Sequence, residues 1–309
     1  MADVLVTGGA GFIGSHVVEG LLANGCSVTV LDNLSTGRQA NLPQHEKLTF
    51  VQGDIRDNAV VDKLVEKCDV VIHLAAVASV PASIADPIGT HEVNLVGTLN
   101  LLECARRHGG RRFIYASSAA VYGNTVNLPV AEDAPLNPLS PYAADKLAGE
   151  HYLGFYVREF GLSAVAFRFF NIYGPRQNPD SPYSGVISIF ADRVRRSDTV
   201  TIHGDGHQTR DFVYVKDLSG LLVDTALSTS ALQGQSLNVG RGTECSLLEL
   251  LDTLEKGSGI EVNRKFDRAR AGDIRRSCAD PTRLRAFAGR VPATGLDVGL
   301  AELMNSLSR

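Results

Sequence analysis

Tyr142 and Lys146 stand four residues apart in the run Ser140-Pro141-Tyr142-Ala143-Ala144-Asp145-Lys146. Ser140 is a good N-cap and Pro141 suits the first helical position, so a helix is expected to begin here. On that helix Tyr142 and Lys146 are i and i+4, neighbours on one face. A free tyrosine titrates near pH ~10. A nearby ammonium and the helix N-terminus would bring the phenol toward neutrality. Such a tyrosine could take a proton from a hydroxyl while a hydride leaves the same carbon. The spacing also suits an ordinary amphipathic helix, so context must decide. That context is Tyr115-Ala116-Ser117-Ser118-Ala119-Ala120-Val121-Tyr122-Gly123, which follows an apolar strand. It puts hydroxyls at a strand's C-terminal end, where doubly wound sheets bind ligands.

A second group of residues suits a nucleotide. Thr7-Gly8-Gly9-Ala10-Gly11-Phe12-Ile13-Gly14 falls between the first strand-like run and the first helical one. Gly8, Gly11 and Gly14 allow a tight turn, close approach to a pyrophosphate and packing of the helix on the sheet. The helix start then offers free N–H groups and a partial positive charge. Asp32 ends the second strand. A carboxylate there accepts from both ribose hydroxyls of an adenosine and repels a 2′-phosphate, which favours NAD over NADP. The alternative for Asp32 is a cap on the turn 33–37.

The elements that must position these groups alternate. Apolar, β-branched runs at 4–6, 28–31, 48–51, 70–72, 113–115 and 164–167 are separated by helical stretches at 12–23, 57–67, 88–108 and 140–160. Continuous apolar strands between helices predict an α/β fold, a doubly wound parallel sheet of Rossmann type covered on both faces. After residue 168 the rhythm breaks at the proline- and glycine-rich 171–185, followed by a helix near 186–196 and a strand near 200–203. The expected division is a nucleotide-binding domain over 1–168, with a segment near 206–235 returning to it, and a smaller C-terminal α/β domain over 169–309. Residues 264–285 carry eight basic residues and three aspartates. They read either as a solvated surface or as an anion-binding lip.

Composition narrows the function classes. The chain has 309 residues, 44% hydrophobic and 21% charged, with 30 basic against 34 acidic side chains. That balance argues against a dedicated nucleic-acid or polybasic membrane binder. No apolar run reaches the ~18–20 residues of a membrane span, and no signal peptide is visible. The five cysteines are odd in number and widely spaced, and the eight histidines lack ligand spacing. Buried thiols in a reducing cytoplasm, and no metal site, are expected.

Taken together, the glycine loop, the serine-bearing loop and the YxxxK run make the chain resemble an extended short-chain dehydrogenase/reductase. Within that group it is similar to the NAD-dependent UDP-hexose 4-epimerases over essentially its full length. The resemblance implies Ser118, Tyr142 and Lys146 as catalytic residues, with Lys146 also touching the nicotinamide ribose. It implies Asn33, Asp54 and Ile55 toward the adenosine side, Leu74, Ala75 and Ala76 near the cofactor's ribose and phosphates, and Asn94 in the cofactor pocket. By sequence alone Asp54 reads as a loop carboxylate and Asn94 as a helix-surface amide. Asn171, Arg210 and Arg270 map onto UDP-binding positions, and Ser79 lies near the sugar. Related 4,6-dehydratases carry T-D-E where this chain has Ser118-Ala119-Ala120, so the acid and base for elimination are missing. Epimerisation at C4 is what remains. The resemblance further makes position 277 the wall facing the sugar's 2-substituent, and Ser277 leaves room for an N-acetyl group. It also implies a homodimer formed by the helices near 88–108 and 140–160, and supply of a surface polysaccharide. A dehydratase, a net reductase or a non-catalytic nucleotide-binding protein are the alternatives.

Overall fold

The computed structural model describes residues 2–178, 185–269 and 274–307, so Arg270 lies outside the described residues. Six strands and six helices alternate through the first half. They are β1 (Asp3–Thr7), α1 (Phe12–Ala23), β2 (Ser27–Asp32), β3 (Leu48–Gln52), α2 (Asn58–Val65) and β4 (Val70–His73). There follow α3 (Val80–Ala85), α4 (Pro87–His91), α5 (Gly97–Arg107), β5 (Arg112–Ser118), α6 (Pro141–Phe160) and β6 (Ala164–Phe169). With the later strand Gln233–Val239 they form a seven-stranded sheet, ordered Gln233–Val239, β6, β5, β4, β1, β2, β3. The pairings of β1 with β2 and β4, of β2 with β3 and of β4 with β5 are parallel. Each expected strand and helix of this half is present. The fold is the doubly wound α/β sheet, reversing direction at β1 and β4, where such sheets bind ligands.

The strands read as near-continuous apolar runs because both faces are covered. Leu5, Leu31, Val71, Phe113, Tyr115, Ala164 and Ala166 form one buried cluster with Leu101, Leu102 and Leu153 of the covering helices. One helical stretch departs from the expected α-helix. Between α4 and α5 the residues Glu92–Val96 form a π turn, with the Gly97 N–H donating to the Glu92 carbonyl. Such single π turns often accompany functional sites.

The chain divides into two compact units. The first comprises residues up to Tyr122 together with Leu136–Arg168 and Ser219–Leu237; the second comprises Gly123–Pro135, Phe169–Leu218 and the chain from Asn238 onward. Gly123–Pro135 thus groups with the second unit, because Val130 bridges Ala279 and exchanges backbone hydrogen bonds with Cys278 and Asp280. The second unit holds three two-stranded pairings, Asn171–Tyr173 with Phe212–Tyr214, Thr209–Arg210 with Cys245–Ser246, and Val200–His203 with Arg264–Asp267. Among the described residues no helix is long and apolar enough to cross a membrane.

Inside the first unit, two opposite charges are buried together. Arg168, on β6, places its Nε 3.0 Å from Glu150 Oε1 and its Nη2 2.7 Å from Oε2, with both side chains 5% exposed. Ser117 and Ser236 donate to the same carboxylate, and Arg168 Nη1 donates to the Tyr122 hydroxyl at 2.7 Å. Stripping one partner from such a pair leaves a buried charge uncompensated. Arg168→Met is therefore expected to lower unfolding free energy by about 3–5 kcal/mol. Arg193→Ala, which breaks an exposed pair with Asp198, should lower it by less than about 1 kcal/mol. Urea denaturation of both variants checks this; equal losses would deny the buried pair its structural role.

Candidate active site

Helix α6 begins as its sequence demands. Ser140 is extended and its hydroxyl accepts from the Ala143 N–H at 3.2 Å, with Pro141 in the first turn. Tyr142, Lys146 and Glu150 follow at four-residue spacing, which lines them along one face. Lys146 is 3% exposed and donates from Nζ to the Ala116 carbonyl of β5 at 2.8 Å. The same Nζ lies 5.0 Å from the Tyr115 ring centroid and 6.0 Å from that of Tyr142. β5 ends at Ser118, whose Oγ accepts from the Ala120 N–H at 3.2 Å and holds the turn that follows.

The expectation that Lys146 draws the Tyr142 phenol toward neutrality is corrected. Burial raises the phenol above its usual value, and a hydrogen bond with Ser118 only partly opposes it. The reason is geometric: the ammonium is tied to the Ala116 carbonyl and sits over the Tyr115 ring. Burial in turn lowers the Lys146 ammonium to about 8, against the pull of the neighbouring Asp145 carboxylate.

The glycine loop connects β1 to α1. Gly8 has φ +71, a left-handed conformation, and a Cβ there would meet the Ala75 backbone nitrogen at 2.7 Å. A Cβ on Gly14 would lie 2.2 Å from the Gly8 carbonyl oxygen, so helix and loop touch backbone to backbone. Gly11 occupies the N-cap of α1, with no side-chain cap and no acidic residue in the first turn. The first-turn N–H groups, those of Phe12 and Ile13 among them, therefore face outward for an anion.

Asp32 makes the turn-capping contacts offered as the alternative for it. Its Oδ2 accepts from the Ala10 N–H at 3.0 Å and its Oδ1 from the Leu34 N–H at 2.8 Å, so it ties the glycine loop to the turn after β2. Each oxygen keeps a further lone-pair site. Asn33 donates to Asp54 at 3.1 Å, and Arg56 beside Asp54 holds that carboxyl down to about 2. Ile55 is buried against Gly97. Leu74, Ala75 and Ala76 form the half-buried loop after β4. Asn94 is not a surface amide: it is buried in the π turn, its Oδ1 accepting from the Val77 N–H at 2.8 Å and its Nδ2 donating to the Val77 carbonyl at 3.2 Å. Ser79 is buried and caps α3, accepting from the Ala82 N–H at 3.1 Å.

In the second unit Asn171, Arg210 and Ser277 lie on segments held by hydrogen bonds. Asn171 donates from its N–H to the Asp211 carbonyl at 3.1 Å. Arg210 Nη1 donates to the Ile274 carbonyl at 2.6 Å, and the Thr209 N–H to the Arg275 carbonyl at 3.0 Å. Ser277 is half-buried between pinned neighbours, since Cys278 accepts from Val130 and Arg276 pairs with Glu244. Several described arginines of 264–285 are held in ion pairs. Arg264 pairs with Asp252 and Glu255, Arg275 with Asp205 and Arg283 with Asp133.

Sequence reasoning missed the Glu150–Arg168 pair and the buried Asp211, which accepts from the backbone N–H groups of Arg241, Gly242 and Ala279. Their signals were present: a glutamate on the helix face of Lys146, and a lone arginine in the otherwise apolar Ala164–Phe169.

The sequence model of the NAD dependent epimerase/dehydratase family matches residues 4–240. A UDP-glucose 4-epimerase of Mycolicibacterium smegmatis is 43% identical over 303 residues, 96% of either chain. Among solved structures, the UDP-N-acetylglucosamine 4-epimerase of Methanobrevibacter ruminantium, in complex with UDP-N-acetylmuramic acid, superposes with a TM-score of 0.95. It is 36% identical, covering 99% of this chain and 98% of that one. The Thermus thermophilus UDP-glucose 4-epimerase in complex with NAD superposes with a TM-score of 0.90 and is 40% identical, covering 99% of each chain.

The depressed Lys146 group makes stability depend on pH. Between about 8 and the model-compound value of 10.5 the unfolded chain holds a proton that the folded chain has released. Stability therefore rises with pH across that window. Measured against Lys146→Met by urea denaturation, the unsubstituted protein should gain up to roughly 3 kcal/mol between pH 7 and pH 10.5. A difference that stays flat would place the ammonium in water-like surroundings.

Proposed function

The chain belongs to the NAD dependent epimerase/dehydratase family, and from that membership we propose that it interconverts the C4 epimers of UDP-hexoses. The principal pair is UDP-N-acetylglucosamine and UDP-N-acetylgalactosamine, with UDP-glucose and UDP-galactose also accepted. The observation that carries the reaction is Tyr142 and Lys146 on one face of α6 together with a Ser118 turn that continues as Ala119 and Ala120. Alanine moves no proton, so the loop offers no acid and base for eliminating water.

NAD is the cofactor, and the chain's residues fit it. The uncapped first turn of α1 and the side-chain-free path of Gly8, Gly11 and Gly14 suit a pyrophosphate. Asp32 retains lone pairs for ribose hydroxyls, with Asn33, Asp54 and Ile55 toward the adenosine and residues 74–76 beside the phosphates. When bound, NAD supplies an acceptor for the C4 hydride that later returns it. Tyr142 removes the C4 hydroxyl proton in one half of the cycle and gives it back in the other. Ser118 holds the same oxygen through its hydroxyl. Lys146, a cation below about pH 8, holds the nicotinamide ribose beside Tyr142. Asn171, Arg210 and Arg270 hold the uridine diphosphate, because guanidinium forks match phosphate oxygens. The 4-keto sugar can then turn over without leaving. A second copy of the chain is the proposed partner, through the exposed apolar Ile84, Ile88, Tyr152 and Phe155 of α3, α4 and α6.

Tyr142→Phe should fold and bind NAD like the unsubstituted protein while turnover of UDP-N-acetylglucosamine, followed by NMR, falls roughly 10²–10⁴-fold. Undiminished turnover would remove Tyr142 from the base role. The substrate range rests on Ser277, the position that the family resemblance sets against the sugar's 2-substituent. Ser277→Tyr should overpack the N-acetyl group by about 1–3 kcal/mol, roughly 5–150-fold in relative kcat/KM, and spare the plain hexoses. Equal loss on both substrate pairs would overturn the assignment of the wall.

A further inference from the structure

His73 ends β4, is 1% exposed and takes no part in the chemistry above. Both of its ring nitrogens meet a threonine: Nδ1 lies 2.8 Å from Thr7 Oγ1 and Nε2 lies 2.9 Å from Thr98 Oγ1. Which nitrogen carries the proton follows from the neighbours. Thr98 has one hydroxyl hydrogen, and it is directed at the Asn94 carbonyl at 2.6 Å, an atom that can only accept. Toward His73, Thr98 must therefore accept, so the imidazole proton sits on Nε2. Nδ1 then accepts the Thr7 hydroxyl proton, and Thr7 Oγ1 in turn accepts from the Ala75 N–H at 3.3 Å. Thr7, His73 and Thr98 each donate once and accept once along this line.

The line has consequences at both ends. At one end is Ala75, whose backbone a Cβ on Gly8 would strike. At the other is Asn94, whose side-chain amide clamps both backbone groups of Val77. The loop from Leu74 to Val77 is thus held from two directions by groups that converge on one imidazole. A second proton on His73 would sit on Nδ1 and leave the Thr7 hydroxyl hydrogen without its acceptor. Burial and the Lys146 charge both disfavour that second proton.

We propose that His73 is a positioning residue for the loop 74–77, its neutral Nε2–H tautomer setting the direction of the chain from Ala75 through Thr7, His73 and Thr98 to Asn94. The role rests on the reading of that loop as cofactor-binding, and the test separates the two. In the ¹⁵N-histidine-labelled protein, long-range ¹H–¹⁵N spectra should show His73 as the Nε2–H tautomer, without titration from pH 5 to pH 9. Thr98→Val removes the acceptor for that proton and should raise the Kd for NAD roughly 5–100-fold. Thr98→Ser keeps the hydroxyl and should restore the Kd. An Nδ1–H tautomer, a titration near the ordinary histidine value, or NAD binding that Thr98→Val leaves unchanged would each overturn the role. Failure of the unsubstituted protein to bind NAD would instead overturn the cofactor reading, and this role with it.

Discussion

Burying a guanidinium and a carboxylate together is tolerable only when each finds a nearly complete set of partners, and that demand organises the first unit of this chain. Arg168 and Glu150 meet it jointly, with Ser117 and Ser236 on the carboxylate and the Tyr122 hydroxyl on the guanidinium. The partners come from β5, β6, α6, the strand Gln233–Val239 and the turn after Ser118. These elements can approach one another in one register only, because any slip leaves a charge unsatisfied. The pair therefore does more than add stability. It fixes the rotation of α6 about its axis, and that rotation carries Lys146 to the Ala116 carbonyl one turn earlier.

A buried helix face of this kind explains an otherwise awkward electrostatic result. The protein's own groups raise the Tyr142 phenol and lower the Lys146 ammonium. Neither is a charge-stabilising site in isolation; both are desolvated, which disfavours the phenolate on one and the ammonium on the other. Desolvation brings the lysine toward the working pH range, and the Ser118 hydroxyl tempers the same effect on the tyrosine.

Much of this was legible in the sequence, and the rest was hidden for physical reasons. Alternating apolar strands and helices foretold the sheet because a parallel strand is covered on both faces and loses its polar alternation. Ser140 and Pro141 announced the start of α6, and the glycines of the first loop could be read because backbone contact tolerates no side chain there. Asn94 and Asp211 were opaque. A buried amide or carboxylate looks like a surface one until the backbone groups it satisfies, Val77 in one case and Arg241, Gly242 and Ala279 in the other, are known from the fold. The basic run 264–285 left two readings open for the converse reason, since several of its acidic partners lie outside the run. A charge count over a window sees the arginines and not the carboxylates they meet.

The π turn at Glu92–Val96 sets a limit on how this chain can change in length. A π turn holds one residue more than an α-helical turn, so removing one residue between Asn94 and Thr98 would let the helix revert to regular α geometry at the cost of their four-residue spacing. Asn94 and Thr98 would fall out of phase, and the amide on Val77 and the hydroxyl beside His73 could no longer be presented together.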